Sequence, residues 1–191
     1  IVSSCGGNIL KTKKKYNNGT SRVSEIVNKL KTKYIIVLQG DEPLIKPSDI
    51  NIITEEVLKF PNYDVYNTVS KLQRLEYKDR SVVKCDINKK KEIINLFRYK
   101  NKINGNSNLR KILGILIFKK KILVNYSKLN KSTNEIKNSI EQFRFLDNKL
   151  KIKTIGLKKS TQSVNYKTDI KKVLKILEED IEQNKLYKSI I

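Results

Sequence analysis

Apolar and polar positions divide the chain into alternating periods of two and three to four. Residues 34–39 are almost continuously apolar, the pattern of a strand covered on both faces. That run ends at Gly40, where Asp41 and Glu42 place two carboxylates before Pro43 prevents the strand from continuing. Upstream, Val23, Ile26, Val27 and Leu30 recur at helical spacing, with Thr20 or Ser21 as N-cap. Residues 6–12 read as a turn followed by a short strand. Downstream, Pro47 opens a helix carrying Ile50, Ile53, Val57 and Leu58 on one face.

Strand periodicity returns at residues 64–72 and 111–118, and a hairpin is expected from 81–86 and 92–97 around a lysine-rich turn. Residues 101–108, rich in Asn, Gly and Ser, read as a surface loop. A short helix is expected over 119–129, a firmer one over 138–146 with Ile140, Phe143 and Leu146 inward, and a last strand over 151–157. A long amphipathic helix over 168–185 closes the chain, its core face formed by Val173, Leu174, Ile176, Leu177 and Ile181. This alternation predicts an α/β fold: one domain over 1–191, with a Rossmann-like, mostly parallel sheet, helices on both faces and a hairpin insertion. In such sheets ligands sit beyond the carboxyl ends of strands, so the acidic pair at 41–42 suggests a metal and phosphate site; an ordinary solvated loop is the alternative.

Composition changes this picture in three places. The net charge of +22 invites a nucleic-acid partner. However, the 35 lysines are scattered and only 6 arginines accompany them, which favours a solvated surface over a dedicated nucleic-acid face. No His is present, which removes imidazole-based triads and His-rich zinc sites, and Cys5 and Cys85 form no C-x-x-C. No apolar run approaches the roughly 20 residues of a membrane span, so a cytoplasmic protein is expected. The chain starts at Ile1 and holds no Met, which we read as an N-terminally incomplete fragment.

Asp41 suits Mg2+, which takes one or two protein carboxylates and fills its remaining positions with water and substrate phosphate oxygens. Nucleotidyl transfer needs no side-chain nucleophile, in agreement with the absence of His.

V-L-Q-G-D-E-P-L-I, and Gln39 to Glu42 within it, resembles the signature of the 3-deoxy-manno-octulosonate (Kdo) cytidylyltransferases. Further segments agree in order and spacing: G-G-N-I-L-K-T with N-G-T-S-R, S-V-V-K-C-D, L-G-I-L-I-F, S-I-E-Q-F-R-F-L-D-N and S-V-N-Y-K-T-D-I. The resemblance implies a cytoplasmic enzyme, commonly a homodimer, that joins CTP and Kdo with Mg2+ to give CMP-Kdo and pyrophosphate for lipopolysaccharide synthesis. Carried over by position, Gln39 contacts the sugar and Asp41 ligates the metal. Gly19, Thr20 and Arg22 lie by the nucleotide, while Arg98, Glu141 and Gln142 serve the substrate.

Departures accompany the matches. The family's second metal carboxylate aligns with Asn165, although Asp169 stands nearby; its His before the L-G-I strand is Ile112, and the Ser before its F-S-R arginine is Phe97. An opening A-R-x-x-S-x-R-x-P-x-K loop has no counterpart. Another CMP-sugar or related nucleotidyltransferase, or a basic RNA-binding protein that keeps the fold, therefore stays open as an alternative.

Overall fold

Among the described residues six strands carry the fold: β1 (Tyr34–Leu38), β2 (Val65–Lys71), β3 (Lys84–Ile87), β4 (Ile93–Phe97), β5 (Leu109–Lys119) and β6 (Ile152–Gly156). Seven helices surround them: α1 (Gly19–Ile26), α2 (Pro47–Lys59), α3 (Lys120–Val124), α4 (Thr133–Asn138), α5 (Gln142–Asp147), α6 (Lys167–Glu179) and α7 (Ile181–Lys188). The structure is a computed structural model and describes residues 2–16, 18–99, 108–158, 163–164 and 166–189.

β5 is the organising strand. Its whole length lies antiparallel to β2, while its other edge is shared between β3, near its start, and β1, near its end. β6 adds to β2 in parallel and β4 closes the opposite edge against β3. It follows that β1, β2, β3 and β6 run one way and β4 and β5 the other. The expected predominance of one strand direction and the expected hairpin are both present.

Both faces of this sheet are covered, which is why its strands read as nearly unbroken apolar runs. On one face Ile35, Val37, Val65, Leu116, Phe118 and Ile152 pack with Val27, Leu123, Tyr126, Phe143 and Phe145. On the other, Tyr66, Ile115, Ile117 and Ile155 pack with Ile53 and Val57 of α2. Burying Ile115, Leu116, Ile117 and Phe118 stabilises the fold by about 1.5–3 kcal/mol each.

β2 and β5 part company at one place. Asn67 pairs with Leu116 but Val69 with Ile112, so Leu113, Gly114 and Ile115 together face Thr68. At the bulge side chains of β2 reach carbonyls of β5: Asn67 Nδ2 donates to Leu113 O at 3.0 Å and Ile115 O at 3.3 Å, and Thr68 Oγ1 donates to Ile115 O at 3.2 Å.

Several expected elements differ. Residues 7–12 form no strand; they are mostly exposed and pair with nothing in the sheet. Asn18, rather than Thr20 or Ser21, caps α1, accepting from Ser21 N at 2.8 Å. The helix expected over 138–146 is two helices, because Ser139 adopts left-handed angles (φ 51°, ψ 47°) after α4. The Arg98 guanidinium takes the carbonyls so freed, donating to Asn138 O at 3.1 Å and Ser139 O at 2.9 Å.

The long C-terminal helix is likewise broken, at Asp180, whose carboxylate caps α7 through Gln183 N and pairs with Lys46 at 3.0 Å. Consequently Ile181 is 88% exposed, and Leu58 and Leu174 also face solvent rather than core. Of the loop expected at 101–108, residues 101–107 lie outside the described residues.

Candidate active site

β1 delivers its last residues into a cleft of about 530 Å3 at the strand's carboxyl end. Gln39 lines it, and its amide rests on Gly19 at the start of α1: a Cβ at residue 19 would stand 3.2 Å from Gln39 Oε1. Asp41 follows, exposed, with its backbone carbonyl accepting from Val164 N at 2.8 Å. Its carboxylate has no hydrogen bond or ion pair among the described residues. Glu42 is turned inward instead, accepting from Ser163 Oγ at 2.8 Å and lying on Gly114, where an added Cβ would stand 2.8 Å from Oε1. The bulge in β5 and the absence of a side chain at Gly114 thus make room for the acidic loop.

The opposite wall is the segment between β2 and β3. Glu76 pairs with Lys111 at 2.7 Å, and Ser81 donates its amide and hydroxyl to Asp79, which holds that carboxyl below its ordinary value. Lys84, completely buried, fastens this wall from behind. Its ammonium donates to the carbonyls of Asp79 and Arg98, the second at 2.7 Å, while burial pushes its pKa down. Arg98 adds bonds to Arg80 O at 3.2 Å and Ser81 O at 3.1 Å.

Behind the cleft, Gln142 at the start of α5 donates its Nε2 to Asn67 Oδ1 at 2.7 Å. Near the mouth, Asp169 caps α6 through Tyr166 N and pairs with Lys172 at 3.1 Å. Among the described residues, five carboxylates (Asp41, Glu42, Glu76, Asp79, Asp169) and two lysines (Lys111, Lys172) line the cleft, in a chain whose net charge is +22. The site is acidic inside a basic protein.

The sequence-derived candidates separate accordingly. Gln39, Asp41 and Gln142 meet in the cleft, with Gly19 touching Gln39. Arg22 projects from the first turn of α1, exposed, and Thr20 is fully buried beneath it. Glu141 does not line the cleft: it accepts from Tyr126 OH at 2.8 Å, and burial raises its pKa. The Thr20 hydroxyl lies beside it without a hydrogen bond of good geometry. Arg98 is also outside the cleft, with Nε and both terminal nitrogens engaged by backbone carbonyls. Asn165 lies outside the described residues, between Val164 on the Asp41 loop and Tyr166. Of the departures, Ile112 lines the cleft, whereas Phe97 is buried against Leu72 and Leu109.

Among the described residues no group of three or more Asp, Glu, His or Cys side chains is arranged to hold a metal. The donor set suits a hard ion held by one carboxylate and completed by ligand oxygens, with Asp41 as the side chain left unpaired for it.

The sequence matches the family model described as "Cytidylyltransferase" over residues 1–187. The chain is 33% identical over 186 residues to the 3-deoxy-manno-octulosonate cytidylyltransferase of Fusobacterium nucleatum, covering 94% of this chain and 75% of that protein. The chain belongs to this cytidylyltransferase family. The enzyme of the same name from Escherichia coli is 26% identical, with 96% and 76% covered. A solved structure of CMP:2-keto-3-deoxy-manno-octonic acid synthetase complexed with CTP superposes with a TM-score of 0.86 at 26% identity, covering 94% of this chain and 76% of that one.

Within this cytidylyltransferase fold, sequence reasoning missed Asn67, Lys84, Tyr126 and the Glu76–Lys111 pair. Two of these carried a usable signal. Asn67 and Lys84 are polar residues set inside otherwise apolar strand runs, where a buried polar group must have a partner.

Proposed function

We propose that this cytidylyltransferase transfers the cytidylyl group of CTP to Kdo, giving CMP-Kdo and pyrophosphate for lipopolysaccharide biosynthesis. The anomeric hydroxyl of Kdo attacks the α-phosphorus. The bond from that phosphorus to the oxygen bridging to the β-phosphorus breaks, pyrophosphate leaves, and the hydroxyl proton is released to solvent. The observation that carries this reading is the acidic cleft at the carboxyl end of β1, which the Asp41 carboxylate, unpaired among the described residues, lines together with Gln39 and Gln142.

Gln39 and Gln142 offer uncharged amide groups that suit sugar hydroxyls. Among the described residues, Lys111 and Lys172 are the cations on the cleft wall, too few to balance a triphosphate beside five carboxylates. A divalent cation such as Mg2+ is therefore the expected companion of CTP, with Asp41 to hold it and Asn165 as a second oxygen donor. When bound it neutralises the triphosphate and the pyrophosphate leaving group. The residues of the chain do the rest: the Glu42–Ser163 bond fixes the acidic loop, and Lys84 and Arg98 fix the facing wall.

A homodimer in the cytoplasm completes the proposal; among the described residues no helix is long and apolar enough to cross a membrane. An acidic cleft also argues against nucleic acid as the ligand there.

The test is pyrophosphate release from CTP, expected only when Kdo and Mg2+ are both present. Asp41→Asn should lower the rate at least about 100-fold, some 2.7 kcal/mol of transition-state stabilisation. An undiminished Asp41→Asn enzyme refutes the assignment of Asp41.

A further inference from the structure

Asn67 does not touch the cleft, yet its chemistry fixes what the cleft presents. Its side chain is completely buried, and its Nδ2 is surrounded by three carbonyl oxygens: Thr68 at 2.9 Å, Leu113 at 3.0 Å and Ile115 at 3.3 Å. All three are acceptors only, so the amide nitrogen must face them and Oδ1 must face away. Oδ1 in turn can only accept, which obliges Gln142, 2.7 Å distant, to offer its Nε2 there. Both amide orientations follow from acceptors on the main chain of the β5 bulge. The Gln142 carbonyl oxygen has no partner among the described residues, and the residue lines the cleft.

We infer that Asn67 is a positioning residue for substrate selection: it locks Gln142 so that the cleft presents a hydrogen-bond acceptor, which selects a sugar hydroxyl at this wall and turns the sugar carboxylate away. The inference rests on the functional reading above. An acceptor beside Gln142 would meet lone pairs, whereas a hydroxyl would donate to them. The β2–β5 bulge thereby has a role at the site: the main-chain carbonyls gathered there are the template that orients two successive amides.

The experiment compares wild type, Asn67→Ser and Gln142→Met in the pyrophosphate-release assay, using Kdo and its monodeoxy analogues with CTP and Mg2+. Wild type should discriminate against one deoxy analogue by at least about tenfold in kcat/KM. Both variants should lose most of that preference, to about twofold or less, while KM for CTP moves by less than about twofold. A purely structural role for Asn67 would lower stability and leave the hydroxyl preference intact, and that result overturns the inference alone. Absence of Kdo-dependent release by wild type overturns the functional reading and the inference with it. Should Asn67→Ser not fold, the wild-type protein still decides: 15N NMR, with the Gln142 side-chain amide assigned by its loss in Gln142→Met, should show slowed exchange of those protons. Exchange as fast as that of an exposed glutamine overturns the inference.

Discussion

Glu135 and Arg144 form a buried ion pair that joins α4 to α5 across the left-handed turn at Ser139. Two bonds make it, Nε to Oε2 at 2.8 Å and a terminal nitrogen to Oε1 at 2.5 Å, with side-chain exposures of 5% for Arg144 and 10% for Glu135. Burial alone would push the Arg144 pKa down, but the bonds to Glu135 outweigh it and the pKa is raised. The guanidinium also stacks 4.5 Å from the Tyr126 ring centre. Glu135→Ala removes the hydrogen-bonded carboxylate and leaves a buried cation beside that ring, with the Glu141 carboxyl as its remaining acidic neighbour. Breaking one side of such a pair costs about 3–5 kcal/mol. At about 2–4 °C per kcal/mol for a chain of this size, Tm should fall by roughly 6–20 °C. Thermal and urea unfolding followed by circular dichroism measure both quantities. Replacing the pair together, by Glu135→Leu with Arg144→Met, should recover most of the loss, since two apolar side chains leave no charge unpaired. A loss below about 1 kcal/mol for Glu135→Ala, the scale of an exposed pair, would refute the reasoning.

Three further outcomes follow from the packing. Burial raises the Glu141 carboxyl in the folded protein, so the native state holds that proton more tightly than the unfolded chain does. Stability from this group is therefore present at low pH and is lost as pH rises through the folded pKa; Glu141→Gln should gain relative stability above that pKa, and chemical denaturation at pH 4 and pH 7.5 should show the gap widening with pH. Cys85 is fully buried and its thiol is pushed up to about 12, whereas Cys5 is exposed. A thiol-specific reagent at pH 7.5 should label one cysteine in the native protein and two in denaturant, and rapid labelling of both natively would contradict the burial. Gly114→Ala should displace the Glu42 carboxylate and its bond to Ser163, with about 1 kcal/mol lost in stability and a larger fractional loss in turnover, read from parallel unfolding and pyrophosphate-release curves.

Much of the sheet was legible because its strands are buried on both sides and read as apolar runs bounded by Gly, Pro and Asn. The helical breaks were less visible. Residues 138–146 keep a helical spacing of Ile140, Phe143 and Leu146 through a turn that is not helical, since Arg98, 41 positions from Ser139, takes the carbonyls a continuing helix would have used. The break at Asp180 likewise depends on Lys46, 134 positions away. At the site, the strand-to-loop transition pointed to Asp41 and Glu42, while Gln39 was named through the resemblance. Gln142 carried no local signal of its own, and the resemblance located it. Glu141 and Arg98 are turned by Tyr126 and by backbone carbonyls, contacts that no spacing in the sequence displays.

The position of β5 at the centre of the sheet sets the order in which the chain can assemble. β1, β2 and β3 are each bonded to β5, and among the described residues β1 has no other strand partner; Tyr34 waits for Lys119. During synthesis at about 5–20 residues per second, the stretch from Leu38 to Lys119 takes roughly 4–16 s to emerge. Through that interval Ile35 and Val37 lack the β5 ladder and most of the core they join, while β3 and β4 can already pair locally as a hairpin. Pairing strands so distant in the chain also makes refolding slow relative to a helical protein of equal length. The nascent chain is thus most vulnerable to aggregation, and most dependent on holding factors, before its central strand has left the ribosome.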